Sequence, residues 1–251
     1  MSRIVLTASS RVGCVRSNNE DMVFAYDKFI RSDVYRTEFM TENLDRFVIA
    51  LADGMGGHNA GEVASSDVLH NLQFFVSDLP RNLASREFTD LMEEWLQSVN
   101  KIIESKGRTN PEMASMGTTL VALLNYNQKY YWMNCGDSRL YRVRDGQLIQ
   151  LTVDHSLNTK QGVQRHSNVI TNCIGGGCAH SYIDLQDISD DFLPGDTYML
   201  CSDGLNDMVP DAEIERLLVG GATANELCES AIAAGGYDNV SVCVFRIDNA
   251  S

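Results

Sequence analysis

The sequence predicts an α+β fold in which antiparallel sheets are covered on the outside by helices. Three observations carry this expectation. Strand-like runs are joined by short turns, the clearest being Asp145-Gly146 inside "RLYRVRDGQLIQLT". Two long amphipathic helical patterns lie together early in the chain, and two short ones lie near its end. Hairpin-connected strands with paired helices between them suit packed antiparallel sheets and not a doubly wound parallel sheet.

Taken in order, strands are expected at 4–8 and 22–26, and then in "RFVIALADG", where 47–52 is apolar at every position. Such a run is buried on both faces. A helix follows over 61–78, with Ala64, Val68, Leu72, Phe75, Val76 and Leu79 on one stripe and Asn59 with Glu62 resembling a capping box. A second helix over 88–105 lines up Leu91, Trp95, Val99, Ile102 and Ile103. Further strands are "GTTLVALLNY", "KYYWMNCG", the two arms around Asp145-Gly146, "DTYMLCSDG" after the Pro194-Gly195 turn, and the closing "NVSVCVFRI". Before that last strand, "DAEIERLLVGG" and "TANELCESAIAAGG" read as short helices stopped by glycine.

At 251 residues, with no repeat, low-complexity tract or visible boundary, the chain is expected to be one domain. Apolar residues make up 44% and charged residues 22%, as in ordinary globular proteins. The N-terminal apolar run is too short for a signal peptide or a membrane span, so a cytoplasmic location and no membrane partner are expected. Seven cysteines, mostly within apolar strand-like stretches, read as free buried thiols. "CIGGGCAH" offers Cys173, Cys178 and His180, but the spacing is poor for zinc. The net charge is −14 and no lysine or arginine run could track a phosphate backbone, which argues against nucleic acid.

The placement of the acidic residues is more informative than their number. Asp53 ends the apolar strand in "LADG", Asp203 ends another in "LCSDG", and Asp238 immediately precedes the last strand. A strand end is rigid and half-exposed, so it can hold a carboxylate where a ligand reaches it. Each alone would be an ordinary turn residue; three together suggest convergence. Asp137 lies at a turn in "NCGDSR", Asp207 lies four residues after Asp203, and "GCVRSNNEDMVF" adds Arg16, Glu20 and Asp21. Oxygen-rich sets without histidine or cysteine suit magnesium or manganese.

These stretches resemble the metal-dependent serine/threonine protein phosphatases of type 2C in their compact bacterial form. The matching segments are "VRSNNED", "ADGMGGHNAGEVAS", "GTTLVALL", "NCGDSRLYRVRDGQLIQLTVDHS", "LCSDGLNDMV" and "YDNVSVCVF", in the family's order and over nearly the whole chain. The resemblance implies a four-layer α-β-β-α sandwich of two antiparallel sheets flanked by helices, one catalytic domain over 1–251, with a metal site at one edge. It implies that Asp53 bridges two divalent cations, that the Gly54 carbonyl joins one, and that Asp203 and Asp238 complete the other. Glu20 would bind metal or order its water, Arg16 would grip the phosphate, and Asp137 with Asp207 would form a third, weaker metal site.

The implied reaction is hydrolysis of phosphoserine and phosphothreonine in proteins, by a water bridging two cations about 4 Å apart and acidified by them. The implied partners are phosphorylated proteins and a serine/threonine kinase, with the chain a monomer. Two departures stand out. Met55 follows the Asp-Gly pair where eukaryotic members carry a histidine, which leaves the general acid unassigned; His58 reads as a helix-capping residue or, less simply, as that acid. The flap after "DHS" is shortened, near 157–168, and "GGGC" beyond it reads as a tight turn or a compensating flexible loop. An alternative is a catalytically weak phosphatase fold kept as a binding module for a kinase or signalling partner, but such a module should have lost a metal aspartate. A glycine-loop nucleotide binder is excluded because no Gly-Lys-Ser/Thr follows "DGMGGHNAG".

Overall fold

Apolar residues at every second position on both faces of the central strands dictate layers on either side of each sheet, and the computed structural model has that arrangement. It describes residues 2–42, 44–56, 60–157, 169–178 and 180–249. The strands are β1 (Ser2–Arg11), β2 (Met22–Ala25), β3 (Lys28–Ile30), β4 (Val34–Met40), β5 (Arg46–Ala52), β6 (Gly54–Met55), β7 (Gly117–Thr118), β8 (Leu120–Tyr126), β9 (Lys129–Cys135), β10 (Arg139–Arg144), β11 (Gln147–Gln150), β12 (Ile174–Gly175), β13 (Asp184–Asp187), β14 (Thr197–Cys201) and β15 (Val240–Asn249). The helices are α1 (Ala60–Asp78), α2 (Ser85–Thr109), a single turn α3 (Asp203–Asn206), α4 (Asp211–Val219) and α5 (Ala224–Ala233).

Among the described residues the strands form two six-stranded sheets, ordered β11-β10-β14-β15-β1-β4 and β13-β9-β8-β5-β2-β3, and a small sheet β12-β7-β6. Neighbouring strands run antiparallel, as in the ten-residue pairing of β1 with β15. Three cores separate four layers. Phe47, Ile49 and Leu51 on one face of β5 meet Ile4, Leu6, Tyr198, Leu200 and Phe245 from the other sheet. Val48, Ala50 and Ala52 on its opposite face pack under α1 and α2 with Val68, Leu72, Phe88 and Trp95. On the far side Met199, Cys201, Val242 and Val244 pack under α4 and α5 with Ile214, Leu218, Leu227 and Ala231. This is the α-β-β-α sandwich expected.

Several local expectations need adjusting. Ile102 is 46% exposed and does not join the buried stripe of α2, which runs through Phe88, Met92, Trp95, Leu96, Val99 and Ile103. "GTTLVALLNY" is not one strand: Thr119 interrupts it, its N–H donating to the Asp53 carbonyl at 2.9 Å, so Gly117 and Thr118 leave the large sheet to pair with β6. Strands β3, β4 and β13 were not anticipated; all lie at or next to sheet edges, where burial imposes least pattern. The expected turn at Asp145-Gly146 is present, with φ of 53° and 77°. The Asn59 capping box, His58 and most of the shortened flap fall outside the described residues.

Candidate metal centre

Asp53 emerges where β5 leaves the sheet, and its backbone is pinned on both sides. Its N–H donates to Thr119 Oγ1 at 3.0 Å, and its carbonyl accepts from Thr118 Oγ1 at 2.8 Å and from the Thr119 N–H. With the main chain satisfied there, the carboxylate lies among those of Asp21, Asp203, Asp137 and Asp238, whose charges act on it. Gly54 then passes under the start of α1: a Cβ there would come within 2.1 Å of the Gly61 carbonyl, and one on Gly61 within 2.8 Å of the Glu20 carboxyl carbon. These two glycines let strand, helix and the Glu20 loop meet at one point. The Gly61 N–H bonds the Glu20 carboxylate at the positive end of the helix.

From the other sheet, β14 ends at Cys201 and Asp203 opens α3. Gly204 is pressed onto the start of β15, where a Cβ would lie 1.9 Å from the Asn239 carbonyl. That contact sets Asp203 beside Asp238. Asn239 in turn ties the N-terminal loop to β15: its Oδ1 accepts from the Glu20 N–H at 2.8 Å, and its Nδ2 donates to the carbonyls of Val12 at 2.9 Å and Asn18 at 2.8 Å. Arg16 Nη2 meets Asp238 Oδ2 at 2.7 Å. Arg16 thus reaches from the N-terminal loop to Asp238, just ahead of β15.

The fold brings the seven charged residues of the predicted set, Arg16, Glu20, Asp53, Asp137, Asp203, Asp207 and Asp238, into one electrostatic neighbourhood. Asp53 and Asp203 keep some surface open to solvent, yet each is ringed by enough protein that burial pushes its carboxyl well above the usual range. The charges of Asp21, Asp203, Asp137 and Asp238 push Asp53 further, and those of Asp137, Asp207, Asp238 and Asp21 push Asp203. Asp137 is pushed up to about 6 by burial, then by Asp154 and Asp207. Glu20 is raised by burial against the opposing pull of Arg16. Arg16 is raised by its bond to Asp238, with Glu20 and Asp53 adding to it.

Asp21 belongs with this set, although sequence reasoning named it without giving it a role. It is fully buried, and burial pushes it up to about 6. Ser202 Oγ donates to its Oδ2 at 2.8 Å, whereas its Oδ1 is buried without a partner. Ser202 Oγ itself accepts from the Ser241 N–H at 3.0 Å, so the backbone of β15 backs the hydroxyl that holds Asp21. The signal available in sequence was adjacency alone, since alternate strand residues face opposite ways and only one of Glu20 and Asp21 could be assigned from pattern.

Among the described residues no three His, Cys, Asp or Glu side chains stand close enough to hold a metal ion in their present rotamers. The donor set nevertheless fits divalent cations. It is all oxygen, it gathers like charges that raise one another, and it leaves a buried carboxylate oxygen unpartnered. Positive charge placed among these groups relieves the repulsion and offers the unpartnered oxygen a partner.

Comparison with known proteins shows the family and the fold. The family model described as protein phosphatase 2C matches residues 31–230. The serine/threonine phosphatase stp of Listeria innocua is 33% identical over 217 residues, which cover 80% of this chain and 85% of that protein. The serine/threonine protein phosphatase PstP of Mycobacterium tuberculosis is 33% identical over 262 residues, 97% of this chain and 46% of that longer protein. Among solved structures, the catalytic domain of PstP in complex with two manganese ions superposes with a TM-score of 0.76 at 31% identity, covering 99% of this chain and all of that one. The serine/threonine phosphatase of S. agalactiae superposes at 0.79 with 27% identity, covering 97% and 99%. With the fold, the order of its motifs and these relatives in agreement, the chain belongs to the protein phosphatase 2C family of serine/threonine phosphatases.

Proposed function

We propose that this chain hydrolyses phosphoserine and phosphothreonine in proteins at the edge of the sandwich where Asp53, Asp203 and Asp238 converge, with residues 1–251 acting as one catalytic domain. The observation that carries the reading is a set of mutually repelling carboxylates with an unpartnered oxygen on buried Asp21 and a half-exposed arginine at its rim. Bound manganese or magnesium would supply Lewis-acid activation of water and of the phosphoryl oxygens. Asp53, the Gly54 carbonyl, Asp203 and Asp238 would hold two such ions, Glu20 would hold or orient water beside them, and Asp137 with Asp207 would hold a third.

The chain's own groups do the rest. Arg16 is half-exposed, so its planar guanidinium can leave Asp238 and grip two phosphoryl oxygens of an arriving substrate. Asn239 keeps the loop bearing Arg16 and Glu20 against the strand bearing Asp238, which orients phosphate relative to the carboxylates. Ser202 holds Asp21 in place. Its substrates would be phosphorylated proteins, with a serine/threonine kinase opposing it, and the enzyme would act as a cytoplasmic monomer. No helix among the described residues is long and apolar enough to cross a membrane. The binding-module alternative gains nothing from the site, since each candidate ligand is retained.

The test is turnover of a phosphothreonine peptide with manganese or magnesium. Activity should vanish in excess chelator and in Asp203→Asn. Full activity in chelator would remove the metal-assisted reading, and metal binding without any turnover would favour the binding module.

A further inference from the structure

Away from the carboxylate site the fold brings two thiols together. Cys173 and Cys178 flank "IGGG", and their sulfurs lie 3.1 Å apart. Between them Gly175, Gly176 and Gly177 have φ of 75°, 61° and 84°, a left-handed run that reverses the chain and that side chains would oppose. Hydrogen bonds that do not involve the thiols hold both ends of the turn. Buried Asn100 of α2 accepts from the Gly175 N–H at 2.6 Å and donates to the Cys178 carbonyl at 3.2 Å. Ser181 Oγ donates to the Cys173 carbonyl at 2.5 Å, and the Cys178 N–H donates to the Gly175 carbonyl at 3.0 Å. The backbone is thus set, and about 1 Å of approach takes the sulfurs from contact to a bond.

The two thiols differ in access. Cys173 is buried, and burial together with the Cys178 thiol pushes it up, so it is a poor first nucleophile. Cys178 is partly exposed and can meet an oxidant.

We propose that Cys173 and Cys178 form a reversible redox modification site, in which hydrogen peroxide oxidises Cys178 and Cys173 closes a disulfide. In the first step the Cys178 sulfur attacks the O–O bond, becomes a sulfenic acid and releases one water. In the second the Cys173 sulfur displaces hydroxide from the sulfenyl sulfur, and the Cys173 proton leaves with it as a second water. Two thiols lose two electrons and one peroxide gains them. Oxidation of Cys178 also removes the neighbouring thiol that helps hold the Cys173 proton on.

The turn adjoins β6, the short strand that follows Asp53 and begins with Gly54. A Cβ on Gly176 would stand 2.9 Å from Cys173 Sγ and 3.5 Å from the sulfur of Met55 on β6, and the Gly176 N–H donates to the Met116 carbonyl at 2.7 Å. Gly176 and Gly177 also form one wall of a groove of 340 Å³ shared with Glu104, Arg108 and Met116. A disulfide fixes that wall.

The test uses the full chain carrying Cys14→Ser, which removes the exposed thiol. Treatment with hydrogen peroxide should lower the mass by about 2 Da, reversibly with dithiothreitol, and peptide mapping should place the cross-link between Cys173 and Cys178. The oxidised protein should melt a few degrees higher than the reduced one, a shift that Cys178→Ser abolishes. Cys173→Ser should instead accumulate a sulfenic acid on Cys178, trapped by dimedone. The proposal is overturned if both thiols remain alkylatable after peroxide, if Cys178 proceeds to sulfinic acid while Cys173 stays free, or if the cross-link maps to Cys135.

Discussion

In the absence of divalent cations, the carboxylates of the candidate site make the fold less stable at neutral pH than in mild acid. Asp21 and Asp137, both deeply buried, are held at about 6, against 3.8 for an unperturbed aspartate. A difference of that size amounts to something of order 3 kcal/mol for each when ionised, and less than the sum for both because they share neighbours. The sign follows from proton counting. Between about pH 4 and 6 the folded chain binds protons that the unfolded chain has released, so stability grows as pH falls through that window and is lowest above it. Asp191 and Asp248, held below the usual carboxylate range by Arg144 and Arg246, titrate beneath the window and do not offset the trend.

The assay is urea unfolding in excess chelator at pH 7.5, 6 and 5, repeated with saturating manganese. Chelated wild type should gain stability from pH 7.5 to 5, and manganese at about 100 times its dissociation constant should add roughly 2.7 kcal/mol at pH 7.5. Asp21→Asn, whose amide can still accept from Ser202, should be about 1–3 kcal/mol more stable than wild type in chelator at pH 7.5 and should lose most of that advantage at pH 5. Equal stability of the chelated wild type at pH 5 and 7.5 would refute the reasoning, because buried carboxylates with raised proton affinity cannot be indifferent to that change.

Other perturbations separate positioning from chemistry. Arg16→Ala should leave the melting temperature unchanged and raise KM for a phosphopeptide about 10- to 100-fold, the worth of one charge-assisted pair; an unchanged kcat/KM would remove Arg16 from the site. Gly204→Ala forces α3 away from β15 and parts Asp203 from Asp238, so a loss of roughly 1–3 kcal/mol and of manganese-induced stabilisation is expected, with normal metal response as the contrary result. Asn239→Ala frees the loop carrying Arg16 and Glu20 and should lower kcat/KM more than stability, measured by peptide turnover beside urea melts. Phe88→Ala, far from the site between the rings of Tyr126 and Tyr131, should cost about 3–5 kcal/mol and leave kcat per folded molecule unaltered.

The class of the fold and the residues of the candidate site were legible in the amino-acid sequence. Uninterrupted apolar runs such as 47–52 demand cover on both faces of a sheet, and the helical stripe through Val68 and Leu72 supplies it, because burial imposes a period that survives without coordinates. Aspartates at the ends of such strands were legible for the same reason: the end of a buried run marks where a rigid backbone meets solvent. The edge strand β4 and the break at Thr119 were not legible, since an edge feels burial on few residues and a two-residue pairing has no period at all.

What each group faces came from contacts between distant segments. Residues 238 and 16 are 222 positions apart and meet at 2.7 Å, a fact that no local pattern encodes. Asp21 could not be ranked against Glu20 until Ser202 was seen to take one of its oxygens and leave the other buried without a partner. The pairing of Cys173 with Cys178 likewise depends on Asn100, which holds the turn from α2, 75 positions away from Gly175. Side-chain type and spacing follow from local physics, whereas charge coupling and hydrogen-bond partnership are set by contacts between distant segments, which exist only once the two sheets have closed on each other.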